Sequence, residues 1–378
     1  MFYTYLITKR ALTVALACVV VACSTVAAGP SACEDAQVYA LYSDFRSFAR
    51  VGSISKAGVA TDVTGADLDT DVTLAVHDGR AFLLARNFDA LLELSAGCGL
   101  PQRRISLRNT AASAPLNPQD AVQSQDGSLW VANYQTTPLM RISADGTRSA
   151  VSIDNLDDDG EPQATFVHRY QSPAREEIVT WFARLDNNDP NLAPKGPATI
   201  VYVDAKTRLE TRRVTTQGWN LFGMLDVHGA FAYAAAPGSF ADAMETNAGI
   251  ERLAIDAGSS ALLLHERELG GSPTAVRISG DCAAVVVVDA SEAKHSSLRS
   301  FDVRAPSTSL RIALGNTEGY DLLGLAWSND VLFVGDRQNK QGRVRRFTKS
   351  ADCTLTESLT VIVTQGLPFV LAAVAPQP

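Results

Sequence analysis

Short apolar runs alternate with polar turns along most of the 378 residues. The clearest stretch is Pro118 to Tyr134, PQDAVQSQDGSLWVANY. A first run ends at the Asp126-Gly127 turn, a second run covers Leu129 to Ala132, and the polar pair Asn133-Tyr134 closes it. Asp-Gly between two short apolar runs is a hairpin signal. No long stretch with a 3.6-residue period and caps appears, so helices are not expected.

The same unit returns along the chain. Asp71 to Ser95 reads DVTLAVHDGRAFLLARNFDALLELS, and equivalents start near residues 164, 221, 275 and 322. Each has two strands joined by a tight turn, a loop, and a third strand. An edge strand fits after each unit, at 103–107, 148–153, 210–215, 262–268, 310–314 and 359–364. Four short strands repeating every 45–55 residues or so define a β-propeller blade. Six units are complete. The seventh assembles from 368–376 at one end and from 36–44 and 47–54 at the other. The reading is therefore all-β: a seven-bladed β-propeller of four-stranded antiparallel blades over residues 35–376, its last blade closed by both termini. Closure removes open sheet edges.

The unit P-x-x-x-x-x-x-D-G-x-L-W-V-A-N, at Pro118–Asn133, resembles the repeats of bacterial propellers of the NHL, YVTN and gluconolactonase-like group. The likeness is weaker at Val72–Asn87 and Leu322–Asp336. It implies a fold, and it leaves binding, scaffolding and lactonase or lyase chemistry open, because propellers host all of these.

The N-terminus changes the picture of where the chain works. Lys9 and Arg10 precede an apolar run from Ala11 to Ala22, too short to span a bilayer and typical of a signal peptide. Val20-Val21-Ala22-Cys23 resembles a bacterial lipobox, so residues 1–22 read as a lipoprotein signal, Cys23 as the lipidated residue and 23–34 as a tether. Cleavage after Val26-Ala27-Ala28 is the plain-secretion alternative. Either way the expectation is an exported protein, anchored in the outer membrane or periplasmic or secreted, touching membrane only through its lipid. Loss of Lys9 and Arg10 takes the formal charge from −8 to −10. An acidic chain without a basic stripe is not expected to bind nucleic acid. A monomer is expected.

Four cysteines then remain: Cys33, Cys98, Cys282 and Cys353. An even number in an exported chain suggests disulfides. In the propeller registration each falls in a turn of one face, and they pair across adjacent blades as Cys33–Cys98 and Cys282–Cys353.

Candidate chemistry is sparse. No HExxH, GxSxG or Walker loop occurs. His77 and His228 both precede a turn glycine and read as turn residues. Trp130, Trp181 and Trp327 read as core, and Trp219 as a residue exposed near the loop face. The ends of the second strands form a column: Asp44, Arg86, Asn133, Arg184, Ala236, Asp289 and Asp336. Arg86, Asn133, Arg184, Asp289 and Asp336 are the candidate ligand ring. Acidic loops at 66–71, 154–161 and 184–191 share that face. In the second, Asn155, Asp157 and Asp159 match the start of a calcium loop, but Phe166 replaces its closing glutamate, so calcium is a minor expectation and no other cofactor is implied. The long loops 184–197 and 238–247 form a wall beside the mouth, a hint of a partner site. The leading expectation is a non-enzymatic, lipid-anchored propeller binding a protein or polysaccharide. The alternative is a metal-dependent hydrolase or lyase of the gluconolactonase-like type, with Asn133, Asp289 and Asp336 as its metal ligands.

Overall fold

The computed structural model describes residues 36–62, 69–95, 99–108, 114–157, 160–239, 245–289, 295–318 and 321–374. They form seven antiparallel sheets around a common axis, in the order the repeats predict. Blade 1 begins with Val72–His77, and blades 2 to 6 begin with Pro118–Gln123, Ala164–Gln171, Phe222–His228, Gly271–Ser279 and Leu322–Ser328. Blade 7 is a composite. Ala36–Ser43 pairs with Pro368–Ala373 on one side and with Ala49–Ser55 on the other. Ala60–Asp62 completes this blade as its outer strand, which the sequence pattern leaves unassigned.

The alternation of side chains explains the packing. Seven apolar clusters occur among the described residues, one for each gap between blades. In Ala36–Ser43, Tyr39 and Leu41 face blade 1, while Val38, Ala40 and Tyr42 face blade 6. A strand buried on both faces reads as continuous apolar sequence, and the period of two decides only which neighbour each side chain meets. Trp130, Trp181 and Trp327 are all in such clusters, 2% exposed or less. Truncating a buried tryptophan costs about 3–5 kcal/mol, so each holds two blades together.

Two edge strands differ from the pattern. In blade 6 the strand expected at 359–364 is broken in two: Leu355–Glu357 pairs beside Phe347–Lys349, and Ile362–Val363 beside Arg343–Val344. The chain turns out at Ser358–Thr360, where the Ser358 hydroxyl accepts the Thr360 N–H, and Leu359 is left exposed. In blade 4 the strand ends at His265, not Glu268. Glu268 turns back to accept the His265 N–H at 2.9 Å, and a helical turn Glu266–Leu269 ends at Gly270 with φ 68°. Capping by Glu268 and a left-handed glycine favours the turn over the extended chain.

Cys282 and Cys353 are disulfide-bonded, with Cα atoms 5.2 Å apart. They join the first turn of blade 5 to the last turn of blade 6, the predicted geometry. Cys23, Cys33 and Cys98 lie outside the described residues. No helix of the described residues is long and apolar enough to cross a membrane.

Candidate functional site

The column of strand-end residues lies on one face but is not one cage. Asn133 is fully buried and donates its side-chain N–H to the Thr137 carbonyl at 2.8 Å, closing its own loop. Asp336 is also fully buried, held by Arg345 at 2.7 Å and Arg343 at 3.0 Å, and it accepts the Gln338 N–H. Asp289 ends its strand half-buried, and its charge acts on Arg299. Asp44 accepts the N–H groups of Arg46, Ser47 and Phe48 as a turn cap. The Ser47 hydroxyl and these N–H groups hold its carboxyl well below the usual range. Ala236 is buried core.

The two arginines of the column differ from these. Arg86 donates to Asp71 at 3.2 Å and to Gln119 at 2.7 Å, and Gln119 in turn donates to the side chain of Asn117. Burial lowers the Arg86 pKa, against the pull of Asp71 and Asp69. Arg184 sits at φ 56°, where the long loop of blade 3 leaves its strand. The Nε atoms of both arginines are buried without an acceptor among the described residues. A buried unpaired donor costs about 1–3 kcal/mol, more when charged.

Each acidic loop is engaged with its own chain. Asp69 is 3% exposed and accepts the backbone and side-chain N–H of Asn87. Asp157 is bonded by Lys195, and the Asn155 carbonyl accepts from Arg213 at 3.1 Å. Asp159 lies outside the described residues. Asp186 and Asp189 accept the N–H of Asn188 and Asn191. Gln163, fully buried, accepts the Leu185 N–H and donates to the Leu185 carbonyl, which pins the base of the 184–197 loop. At the opposite wall Asn220 donates to the Gly238 carbonyl, and Trp219 is half-buried beside it.

A second constellation lies in the bore, where the inner strands run side by side. His77 Nε2 is 2.8 Å from Asp120 Oδ1, and Asp120 Oδ2 accepts the Val167 N–H at 3.0 Å. The His168 ring is 6.3 Å from that of His77, and its Nδ1 is buried without a partner. On the far side Asp226 accepts the Ile278 N–H. Arg277 donates to the carbonyls of Leu225 at 3.0 Å and Leu325 at 3.1 Å, so it spans blades 4, 5 and 6. Burial opposes the charged form of His77, yet Asp120 beside it outweighs this and raises its pKa. Burial, with the charge of His77, lowers His168 to about 4. Burial raises the pKa of Asp226 and lowers that of Arg277.

The sequence pattern placed His77 as a turn residue, and it does end its strand; its ring, however, reaches the next blade. The partners are 43 residues apart. No local motif carries that distance.

Among the described residues, Asp336 and Asp157 do not suit a divalent cation. A carboxylate already against two guanidinium groups, as Asp336 is, or an ammonium, as Asp157 is, has little left for a metal. Among the described residues no group of three or more His, Cys, Asp or Glu is gathered as a cation requires.

The sequence matches no family model and no curated protein. Among solved structures it is similar to a streptogramin B lyase, with TM-score 0.54 and 12% identity over 86% of this chain and 94% of that one. It is similar also to the periplasmic gluconolactonase PpgL of Pseudomonas aeruginosa, with TM-score 0.53 and 15% identity over 91% and 99%. The Dos1 propeller gives TM-score 0.54 and 12% identity over 88% and 85%. At such identities the likeness is one of fold, and it defines the chain as a seven-bladed propeller with neighbours of lactonase and lyase type.

Proposed function

We propose that this chain is an exported propeller, held at a membrane by a lipid on Cys23, that binds a protein or polysaccharide through its loop face without chemistry. The observation that carries the reading is the pair of arginines, Arg86 and Arg184, placed partly exposed at the ends of their strands on the face that bears the long loops. A partner that brings carboxylate, carbonyl or sugar oxygens to the accessible edges of these guanidinium groups would be held there, because guanidinium groups favour such planar acceptors. The carboxylates of the same face are turned inward onto their own loops. Titration with poly-glutamate, an acceptor-rich polymer that carries no sugar ring, tests this. Saturable binding weakened about tenfold or more by Arg184→Gln supports it; binding indifferent to that change sinks it.

A second reading, an enzyme of lactonase or lyase type, is favoured by the His77–Asp120 pair in the bore, with His168 beside it. A carboxylate-held imidazole is an acid–base group, and two of the fold neighbours are by name a lyase and a gluconolactonase. This reading needs no metal at Asn133, Asp289 or Asp336. Hydrolysis of a sugar lactone that survives a chelator and disappears in His77→Gln would favour it over binding.

A further inference from the structure

The face opposite the candidate ring carries a cleft of about 470 Å³ between blades 1 and 2. Its position follows from the repeat: the early turns and outer strands of two neighbouring blades splay apart beyond their shared apolar cluster. The floor is apolar, made by Ile105 from blade 1 and Leu129 and Ile142 from blade 2.

The walls are cationic. On blade 1, Arg80 and Arg103 lie beside Glu93. Glu93 is bonded by Arg80, which also donates to Gln123, while Arg103 is 3.7 Å away. The Arg103 side chain is 60% exposed against 17% for Glu93, so the acid is covered and the base is presented. On blade 2, Arg148 leans across the gap, its Nε donating to the Ser106 carbonyl at 2.8 Å, and it lines the cleft. Two further acids, Asp126 and Asp145, are sequence neighbours of lining residues. Asp126 is bonded by Arg141 at 2.7 Å, and Asp145 accepts the N–H of Thr147 at 2.9 Å. Four lining arginines, Arg104 among them with its guanidinium over the Phe88 ring, against one covered carboxylate form a positive site on a chain of net charge −8.

We propose that this cleft binds a short acidic oligosaccharide of uronate type. The apolar floor suits the C–H face of a sugar ring. Arg103 and Arg148, one from each blade, suit carboxylates on successive residues, and a volume of this size is that of a small-ligand site. An inorganic anion would use the arginines and leave the floor unused. The site is separate from the loop face and stands whether or not the loop-face reading does.

The test is calorimetric titration of the intact protein with trigalacturonate, its neutral galactose counterpart, and triglutamate. The expected result is saturable binding of trigalacturonate that weakens with salt, with little binding of the other two. Arg103→Ala with Arg148→Ala should weaken it at least tenfold. The corresponding lysine pair should keep part of it, and Arg184→Gln on the opposite face should leave it unchanged. Both arginines are outside the core, so melting temperatures should stay within a few degrees and confirm folding. Equal binding of triglutamate that persists in Arg184→Gln overturns the saccharide assignment. Binding lost in Arg184→Gln but kept in the cleft variants, or no binding at all, overturns the cleft.

Discussion

The carboxylate of Asp120 joins three blades: Oδ1 lies 2.8 Å from His77 of blade 1, and Oδ2 accepts the Val167 N–H of blade 3. Inner strands of adjacent blades share no ladder, so such bonds fix their relative height in the bore. Asp120→Ala leaves both partners unpaired in a buried place, and a loss of about 3 kcal/mol is expected. Asp120→Asn, which keeps the shape, should cost less. Urea unfolding of both variants measures the difference.

The two bore histidines act on stability in different pH windows. His168 has its pKa lowered from 6.5 to about 4, so the unfolded chain binds the extra proton between these values. Its contribution is therefore lost as pH falls from 6.5 toward 4, by on the order of 2–3 kcal/mol. His77 has a raised value, so its contribution is fully present below 6.5 and is lost as pH rises through that raised value. His168→Gln should flatten the acid limb of a stability–pH curve, and His77→Gln the limb above 6.5. A curve whose acid limb is unchanged in His168→Gln rules this account out.

The Cys282–Cys353 disulfide closes a loop with a sequence separation of 71. Loop-closure entropy gives about 4 kcal/mol for its removal. The double serine variant should therefore melt several degrees lower with the fold unchanged by circular dichroism. Non-reducing peptide mapping should also find Cys33 joined to Cys98. The ends of the loop that bears Cys98 already touch blade 7, where Tyr39 donates to the Ser95 carbonyl at 3.1 Å.

At the loop face, Arg345→Met should be damaging in a way Arg184→Gln is not. Asp336 is fully buried and depends on Arg345 and Arg343 for its charge. Removing one partner from a buried pair costs about 3–5 kcal/mol. A chemical melt should show a large loss for Arg345→Met and almost none for Arg184→Gln, which would separate scaffold from site.

The repeat made the blades legible because every strand packs against a neighbour of the same kind, and the Asp-Gly and Asn-Asp turns mark its hairpins. The two misplaced edge strands, at 359–364 and 262–268, lie where a turn residue or a cap outweighs an apolar run. Site residues were far less visible. Asn133 and Asp336 stand in the same column as Arg184, and only three-dimensional contacts show that Thr137 takes the Asn133 side-chain N–H and that Arg345 holds Asp336. His77 is the opposite case: it reads as a turn, and its partner is in the next blade. The cleft was hidden because Arg103 and Arg148 belong to edge strands of different repeats, each unremarkable alone.

Blade 7 has a consequence for the order of events during synthesis. Ala36–Ser43 is made early, yet the strand that covers its inner edge, Pro368–Ala373, is made only after blades 1 to 6. Until Pro368–Ala373 follows, the nascent ring is an open arc with an unpaired apolar edge, a surface prone to wrong pairing. Ring closure therefore waits on Pro368–Ala373, however soon the other blades form.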